Sequence, residues 1–489
     1  MKNLIKFRNS NNQIIFLLLI FIWLSNLISI NTGFYSVKNF YYNFEFNTQT
    51  LINFINTLRW IAPIITLPIL IKLLKNDLKI DSFSKIIIFW TIFQIIYIFF
   101  LDRDKKILEI NSPQIIDNFN LLINYLVTIF LFIYIRREYN ENLNLFFLIL
   151  IFFICCVSVY FFFNIILSAI ENQKLFFYHN HALNPGKLYF DQPVPRITGL
   201  SRMLVVIFIV IFFIKDFKVK SNKTRLFLNI ILFFILIFIF LSQTRGSVVG
   251  IGIFYLFYLT FVKTKFKKKI FILFLFLLLP FIITHLLSKI DSQKNSRSSS
   301  RISETLIFLN ESLINKPSFN NDIITNNNDD DITINKGLVK KDAYAFSSGR
   351  IDIWKTSINL ILENKKILGY GPQGDRYALS IIAKNFNEAA WQNNASNSLI
   401  YSIISTGLVG LVCLLLLYFF ILKCLIKTLF NIYYNHTHDY LILSCTTLVM
   451  FILLRSIFEN SFVVFGIDYC LLIPSYFILQ SNLEKTKIE

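Results

Sequence analysis

The sequence is short of charged residues, because Asp, Glu, Lys and Arg occupy only 16% of its 489 positions. Hydrophobic residues make up 55%, and the mean hydropathy of +0.59 lies well above the range of soluble domains. A soluble core of this composition would be hard to keep in solution. The shortage of charge therefore excludes an ordinary soluble domain and indicates lipid as the solvent.

Cysteine is also scarce, with six residues that form no CxxC motif and have no companion histidine. All six fall in or beside predicted membrane spans and are interpreted as small core residues, so we expect no metal site and no disulfide. Asp329, Asp330 and Asp331 are adjacent, but their Asn-rich surroundings are more typical of a solvated run than of a cation site. No cofactor is predicted.

The net charge of +19 raises the possibility of a nucleic-acid partner. The Lys and Arg residues, however, occur in short clusters between apolar segments rather than along one face of a folded domain. Membrane lipids are therefore the expected surroundings, and no nucleic acid is expected to bind.

Long apolar runs recur along most of the chain, and a helix needs about 20 such residues to cross about 30 Å of hydrocarbon. The pattern predicts an all-α, polytopic integral membrane protein with about twelve transmembrane helices. The first, which lacks a small-residue cleavage site, is interpreted as a retained helix rather than a signal peptide. The predicted spans are 14–30, 52–71, 86–101, 119–135, 144–168, 200–214, 226–242, 247–262, 270–288, 398–422, 440–457 and 461–480.

Basic residues alternate across the connections, which gives the spans a direction. Short loops rich in Lys and Arg face the cytoplasm, and placing the N-terminus there satisfies this rule as far as the ninth span. The resulting organisation is nine helices in residues 1–288, a large loop outside the cytoplasm in 289–397, and three helices with a short cytoplasmic tail in 398–489. Both termini are predicted to be cytoplasmic.

The large loop contains two candidate helices, 304–314 and 351–364, among Ser-, Asn- and Asp-rich stretches that we expect to be mobile. In the second helix Ile351, Trp354, Ile358 and Ile361 recur at helical spacing. Lys355, Glu363 and Lys365 face elsewhere, and this pattern favours a helix that lies along the membrane surface.

Arginines near predicted helix ends are the main candidates for chemistry. Arg245 occupies the short connection Ser242 to Gly246, and an unpaired charge at membrane depth costs at least a few kcal/mol. Arg196, Arg202 and Arg350 share its predicted side, where guanidinium groups could hold a diphosphate through bidentate hydrogen bonds. The alternative is interfacial anchoring by snorkelling side chains. Arg455 and Glu459 lie four residues apart and could simply pair on one helix face.

The arrangement resembles the O-antigen ligase and O-antigen polymerase superfamily. The resemblance extends over about residues 195–460 and rests on Arg196-Ile-Thr-Gly, the Ser242 to Gly246 turn and Gly349-Arg350-Ile-Asp-Ile-Trp354. It continues with Leu368-Gly-Tyr-Gly371, Asn397-Ser-Leu399 and Gly407-Leu-Val-Gly410.

The resemblance implies a metal-independent glycosyltransferase of the bacterial inner membrane that uses an undecaprenyl-diphosphate-linked glycan donor. The acceptor would be lipid A core in a ligase and another carrier-linked glycan in a polymerase. It further implies catalytic roles for Arg245 and Arg196, and substrate contacts for Arg350, Arg202, Ser396, Asn397 and Arg455.

One departure from the family pattern concerns the general base. Ligases of this family usually carry His immediately before the Asn-Ser-Leu motif, where this chain has Ser396. The departure favours a polymerase over a ligase, and His179, His181, Glu388 or Glu459 could supply the base instead.

Two other functions remain open. A transporter of lipid-linked sugars or polysaccharide would also need many spans and cationic groups, although transporters tend to carry ionisable residues at the midplane on broken helices. A noncatalytic envelope scaffold would explain the missing His, but an inert scaffold has little reason to keep costly arginines at membrane depth.

Overall fold

The structure is a computed structural model, and it describes most of the apolar part of the chain. The described residues are 10–29, 60–66, 68, 71, 80–101, 115–138, 140–171, 197–242, 244–290, 350–363, 367–372, 374–375, 397–435 and 439–485. Arg196, Ser396, His179, His181, Glu388, the acidic run 329–331 and the predicted helix 304–314 lie outside these ranges, as does most of the predicted second span.

The described chain is all-helical, as the sequence predicts, and every regular element in it is a helix. The elements are α1 Ser10–Ser29, α2 Ser82–Ile98, α3 Ile115–Glu138, α4 Asn140–Glu171, α5 Ile197–Phe217, α6 Asn222–Leu241, α7 Arg245–Phe261, α8 Phe266–Leu273, α9 Leu279–Ile290, α10 Arg350–Glu363, α11 Ser398–Asn435, α12 Tyr440–Ser456 and α13 Ile467–Lys485. A π-helical turn, Phe274–Leu278, joins α8 to α9.

The chain is a membrane protein with apolar helices that overlap the predicted spans in chain order. Within the described ranges, four helices are long and apolar enough to cross a bilayer, and they contain Phe119–Arg137, Asn142–Tyr160, Asn222–Leu241 and Ser398–Asn435. Several other apolar helices are shorter, among them α2 and α12. Twelve crossings therefore stay a prediction.

The core is built around the first and last helices. Trp23 of α1 is fully buried, and its ring packs edge-on against Phe132 of α3 and Phe465, with centroids 4.9 and 5.1 Å away. Its indole Nε1 donates to the carbonyl oxygen of Cys470 in α13 at 3.3 Å. Helix α12 packs against α5, α7 and α13, so the C-terminal helices lie inside the bundle.

Polar contacts gather at the two ends of the bundle. At one end Arg136 donates to Gln480 at 2.8 Å, and Lys218 lies 3.3 Å from the Tyr440 hydroxyl. At the other end Arg202 meets Asp468. We call these the lysine end (residues 215–225 and 263–269) and the arginine end (Arg202, Arg245, Arg455 and Asp468). The predicted alternation of sides, and the end that faces the cytoplasm, stay predictions.

Helix α11 is broken near its start by a piece of the large loop. Thr406 and Gly407 have non-helical dihedrals, and Gly407 has a φ of +61°. The opened turn bonds to the loop backbone, because Tyr370 N donates to Ile404 O at 2.6 Å and Leu408 N donates to Ile367 O at 3.2 Å. The loop segment 367–371 is thus tied into the bundle at this break.

Glycine is required on both sides of this junction. A Cβ at Gly407 would lie 1.8 Å from Ile367 O, and one at Gly369, where φ is +76°, would lie 2.5 Å from Ile404 O. Contacts from α2 complete the junction, since Trp90 Nε1 donates to Thr406 Oγ1 at 2.9 Å and the Tyr97 hydroxyl donates to Gly369 O at 2.8 Å. Two of the quoted motifs, Leu368 to Gly371 and Gly407 to Gly410, therefore meet in space.

The helix predicted at 351–364 is confirmed as α10, while its position along the membrane surface stays a prediction. Ile358 is exposed, whereas Ser357 is fully buried. Leu360 and Ile361 pack against Tyr370 and Tyr401. Helix α10 packs on α11. The buried part of α10 therefore includes a serine, which hydrophobic spacing alone does not reveal.

Candidate functional site

Two arginines at the arginine end share one buried carboxylate. Arg202 Nη1, on the second turn of α5, lies 3.2 Å from Asp468 Oδ1. Arg455 Nε, at the end of α12, lies 2.9 Å from Asp468 Oδ2. All three side chains are at least 89% buried, with 11%, 9% and 4% of their surface exposed. Asp468 therefore joins the start of α5, the end of α12 and the start of α13 through charge-assisted hydrogen bonds.

The connection between α12 and α13 completes the shell of this carboxylate. Ser461 Oγ donates to Asp468 Oδ2 at 2.7 Å. Glu459 contributes a second, partly exposed carboxylate, whose Oε2 lies 3.9 Å from Arg455 Nη2. The pairing of Arg455 with Glu459 expected from their spacing is thus present, but Asp468 is the nearer partner of Arg455.

The start of α11 is fixed to the same connection. Ser398 Oγ donates to Glu459 O at 3.1 Å and lies 3.1 Å from the Ser461 N–H, which donates to it. Asn397 Oδ1 accepts from Leu399 N at 2.8 Å, which makes Asn397 the N-cap of α11, and its Nδ2 donates to Ile457 O at 2.8 Å. The Asn397 amide thus joins the start of α11 to the end of α12. Its expected contact with substrate stays a prediction.

The arginine turn between α6 and α7 is held by hydroxyl groups. Ser242 Oγ and Thr244 Oγ1 lie 2.9 and 2.7 Å from Ser201 Oγ of α5. Thr244 precedes α7 at the N-cap position, yet its side chain makes no cap hydrogen bond within that helix. The Thr244 hydroxyl forms its hydrogen bond with Ser201 instead. The turn that carries Arg245 is therefore held at Ser201, the residue before Arg202. The N–H groups in the first turn of α7 receive no cap from Thr244.

Arg455 also reaches the arginine turn. A Cβ built on Gly246 would lie 3.1 Å from Arg455 Nη1, so this nitrogen rests against the backbone immediately after Arg245. A helix N-terminus carries partial positive charge and attracts anions. The first turn of α7 and the Arg455 guanidinium consequently present positive charge side by side.

The charges of this cluster largely cancel. Arg202 and Arg455 carry two positive charges, and Asp468 and Glu459 carry two negative ones. The two arginines are therefore not a pair of unopposed cations, and the substrate contacts expected of Arg202 and Arg455 stay a prediction. The positive surplus of this end depends on Arg245 and on the dipole of α7.

The remaining predicted residues are only partly placed. Arg245 and Arg350 begin α7 and α10, and the structure describes their backbone alone. Arg196 and Ser396 fall outside the described ranges. Sequence reasoning missed Asp468 and Ser461, although a carboxylate inside the predicted span 461–480 is itself a signal of function.

No group of three His, Cys, Asp or Glu side chains suited to a metal ion occurs among the residues that the structure describes. The arrangement instead offers guanidinium groups, a helix N-terminus and one partly exposed carboxylate, Glu459. Such groups can bind an anion and stabilise charge that develops on a leaving group.

The fold and site define a multi-helix membrane protein with a buried arginine–carboxylate cluster at one end. Residues 230–415 match the model of the O-antigen ligase family, so the superfamily that the sequence motifs resemble is confirmed over that stretch. The match covers the arginine turn, α10, the junction of Gly369 with Gly407 and the start of α11. Arg202, Arg455 and Asp468 lie outside it, and Arg455 reaches it at Gly246. No curated protein matches the chain.

Proposed function

We propose that this chain transfers a glycan from an undecaprenyl diphosphate carrier to a glycan acceptor at the periplasmic face of a bacterial inner membrane. The family match supports glycan processing by an O-antigen ligase type of enzyme. The observation that carries the proposal is the contact of Arg455 Nη1 with Gly246, which puts a guanidinium beside the α7 N-terminus and Arg245.

In the proposed reaction an acceptor hydroxyl attacks the anomeric carbon of the donor sugar. The bond from that carbon to the diphosphate oxygen breaks, and undecaprenyl diphosphate leaves with both bonding electrons. Arg245, Arg455 and the N–H groups of α7 stabilise the charge on the leaving diphosphate. Arg196 and Arg350 are proposed to contact the same diphosphate, and the reaction needs no metal ion.

Arg202 and Asp468 take positioning roles in this proposal. Asp468 holds Arg455 by its Nε, which leaves Nη1 directed at Gly246. Arg202 pairs with the other oxygen of that carboxylate, Asp468 Oδ1. An orientation fixed before the substrate arrives needs little reorganisation during the reaction.

Glu459 is the proposed base that accepts the proton of the acceptor hydroxyl. Of the four substitutes for the missing histidine, it is the one in the described chain, and it lies in the same cluster as Arg455. A carboxylate can act as base only if it is within hydrogen-bond reach of the acceptor hydroxyl. Ser396 precedes α11 in the sequence and is proposed to contact the acceptor.

A polymerase is the preferred form of this enzyme, because Ser396 replaces the histidine that ligases usually carry. The analysis of surface glycan from cells with and without the gene separates the two. Loss of polymer with single repeats still attached to lipid A core indicates a polymerase. Accumulation of carrier-linked polymer indicates a ligase.

The decisive variant is Arg245→Ala in a knockout background. We expect it to abolish long-chain surface polysaccharide while the protein remains in the membrane. Arg137→Ala is the matched control, because it removes an exposed arginine next to Arg136, away from the arginine end. A normal chain-length ladder from Arg245→Ala, with equal protein levels, contradicts the proposal.

The alternative is a transporter of lipid-linked sugars or polysaccharide, and the break in α11 is the feature that favours it. The described part of that break, however, is occupied by loop backbone and by Trp90, with no charged side chain at residues 404–408. Purified protein in liposomes distinguishes the two functions. Movement of lipid-linked sugar without glycan transfer supports transport, and transfer without movement supports the enzyme.

A further inference from the structure

The lysine end concentrates basic residues in two connections of the bundle. Residues 215–225 join α5 to α6, and residues 263–269 join α7 to α8. Together they contain ten Lys and Arg residues and one acidic residue, Asp216. Eight of the basic side chains are exposed: Lys218, Lys220, Lys223, Arg225, Lys263, Lys265, Lys267 and Lys268.

The two connections form one surface because Asp216 ties them together. Its Oδ2 lies 2.9 Å from Lys268 Nζ, and it accepts a hydrogen bond from the Tyr258 hydroxyl at 3.2 Å. Thr264 Oγ1 in turn lies 3.4 Å from the Tyr258 oxygen. The one carboxylate of the surface is consequently directed inward, toward Lys268 and Tyr258.

Lys215 is withdrawn from this surface into the bundle. It is buried, its Nζ donates to Asn229 Oδ1 at 2.9 Å, and it lies 4.2 and 4.9 Å from the ring centroids of Phe212 and Phe276. Phe276 belongs to the π-helical turn. Among the exposed cations, Lys268 is paired with Asp216, and the two connections contain no other acid.

Exposed apolar residues border the charged surface on two neighbouring helices. Helix α6 carries exposed Leu226, Phe227 and Phe234, while α8 and the π-helical turn carry exposed Phe271 and Phe274. Helix α6 contacts both the π-helical turn and α9. A partner that suits this surface has negative charge where it meets the basic connections. It also has two or more apolar chains that lie along the exposed apolar residues of the helices.

We propose that the lysine end binds an anionic phospholipid, with the headgroup phosphate on the exposed lysines and the acyl chains along the aromatic faces of α6 and α8. Nucleic acid and acidic peptides satisfy the charge but leave the aromatic faces uncovered. A zwitterionic lipid covers those faces but gains little from eight exposed cations. Basic clusters beside membrane helices attract anionic lipids by this combination of forces.

The test uses purified full-length protein and native mass spectrometry with added phosphatidylglycerol or phosphatidylcholine. We expect phosphatidylglycerol to remain bound and phosphatidylcholine to be lost at equal concentration. The triple variant Lys220→Gln, Lys265→Gln, Lys267→Gln should bind phosphatidylglycerol roughly 100-fold more weakly, at about fivefold per lysine. The same positions changed to Arg should retain binding.

The matched control removes three exposed lysines elsewhere, as Lys85→Gln, Lys423→Gln, Lys427→Gln, and should bind phosphatidylglycerol like the parent. Equal loss in both triple variants, or equal binding of the two lipids, overturns the proposal. So does displacement of bound lipid by millimolar inorganic phosphate, which would indicate a site for the free anion.

Discussion

Asp468 accepts Arg455 Nε at 2.9 Å on one oxygen and Arg202 Nη1 at 3.2 Å on the other. A buried carboxylate placed between two guanidinium groups supports both, since a cation that loses its partner in a dry environment is strongly destabilising. The start of α5, the end of α12 and the start of α13 thereby depend on one side chain.

Asp468→Asn tests that dependence. It leaves two buried guanidinium groups without their shared carboxylate, so we expect a loss of about 3 to 5 kcal/mol in stability. Thermal unfolding in detergent measures it. Asp439→Asn is the control, because Asp439 caps α12 through Leu441 N and its replacement should cost about 1 kcal/mol or less. Equal shifts in melting temperature for the two variants would show that the arginine–carboxylate cluster is not the source of the lost stability.

Gly246→Ala tests the contact between the arginine turn and Arg455. The added methyl lies 3.1 Å from Nη1 and must push the guanidinium aside. We expect glycan transfer to fall roughly tenfold, which corresponds to about 1.4 kcal/mol in the barrier, with little change in melting temperature. Activity is read from polysaccharide ladders and from transfer by the purified protein.

The same helix provides the control for Gly246→Ala. A Cβ at Gly252 meets nothing within 4 Å among the described residues, so Gly252→Ala should leave activity unchanged. If both variants are fully active, Arg455 has no role at the α7 N-terminus.

Features that depend on neighbouring residues can be predicted from the sequence, whereas features that depend on distant helices cannot. The apolar runs predict the helices, and a four-residue spacing predicts that Arg455 meets Glu459, because both are local properties. The partnership of Arg455 with Asp468 depends on how α12, α13 and α5 pack, which no local pattern encodes. The burial of Ser357 in α10 is likewise a result of tertiary packing, which hydrophobic spacing along one helix does not encode.

Gly407→Ala tests the junction between the loop and α11. Its φ of +61° is unfavourable for alanine, and the new Cβ would lie 1.8 Å from Ile367 O. We expect a loss of at least about 2 kcal/mol and release of the loop segment from α11. Limited proteolysis near residues 367–371 should therefore accelerate. A variant that resists protease like the parent protein would refute the junction, and Gly252→Ala again provides the reference.

Ser201→Ala tests the hydroxyl cluster that holds the arginine turn. Ser242 and Thr244 both lose a buried hydrogen-bond partner, which costs about 1 to 3 kcal/mol. Because the turn carries Arg245, transfer activity should fall together with stability. The control is Ser444→Ala, whose hydroxyl bonds only to Tyr440 O within its own helix in the described contacts. Retention of full activity in Ser201→Ala would show that Arg245 is positioned by other contacts.

The hydrogen bond from Trp23 to Cys470 O has a consequence for biosynthesis. The two residues are 447 positions apart, so at 5 to 20 residues per second the ribosome needs roughly 20 to 90 s to supply the partner. During that interval the Trp23 indole of α1 has no Cys470 carbonyl to donate to and must pack against other groups. The packing around Trp23 is thus completed only after α13 has been made, and a ribosome that stalls before codon 467 leaves the indole without Cys470 as its partner.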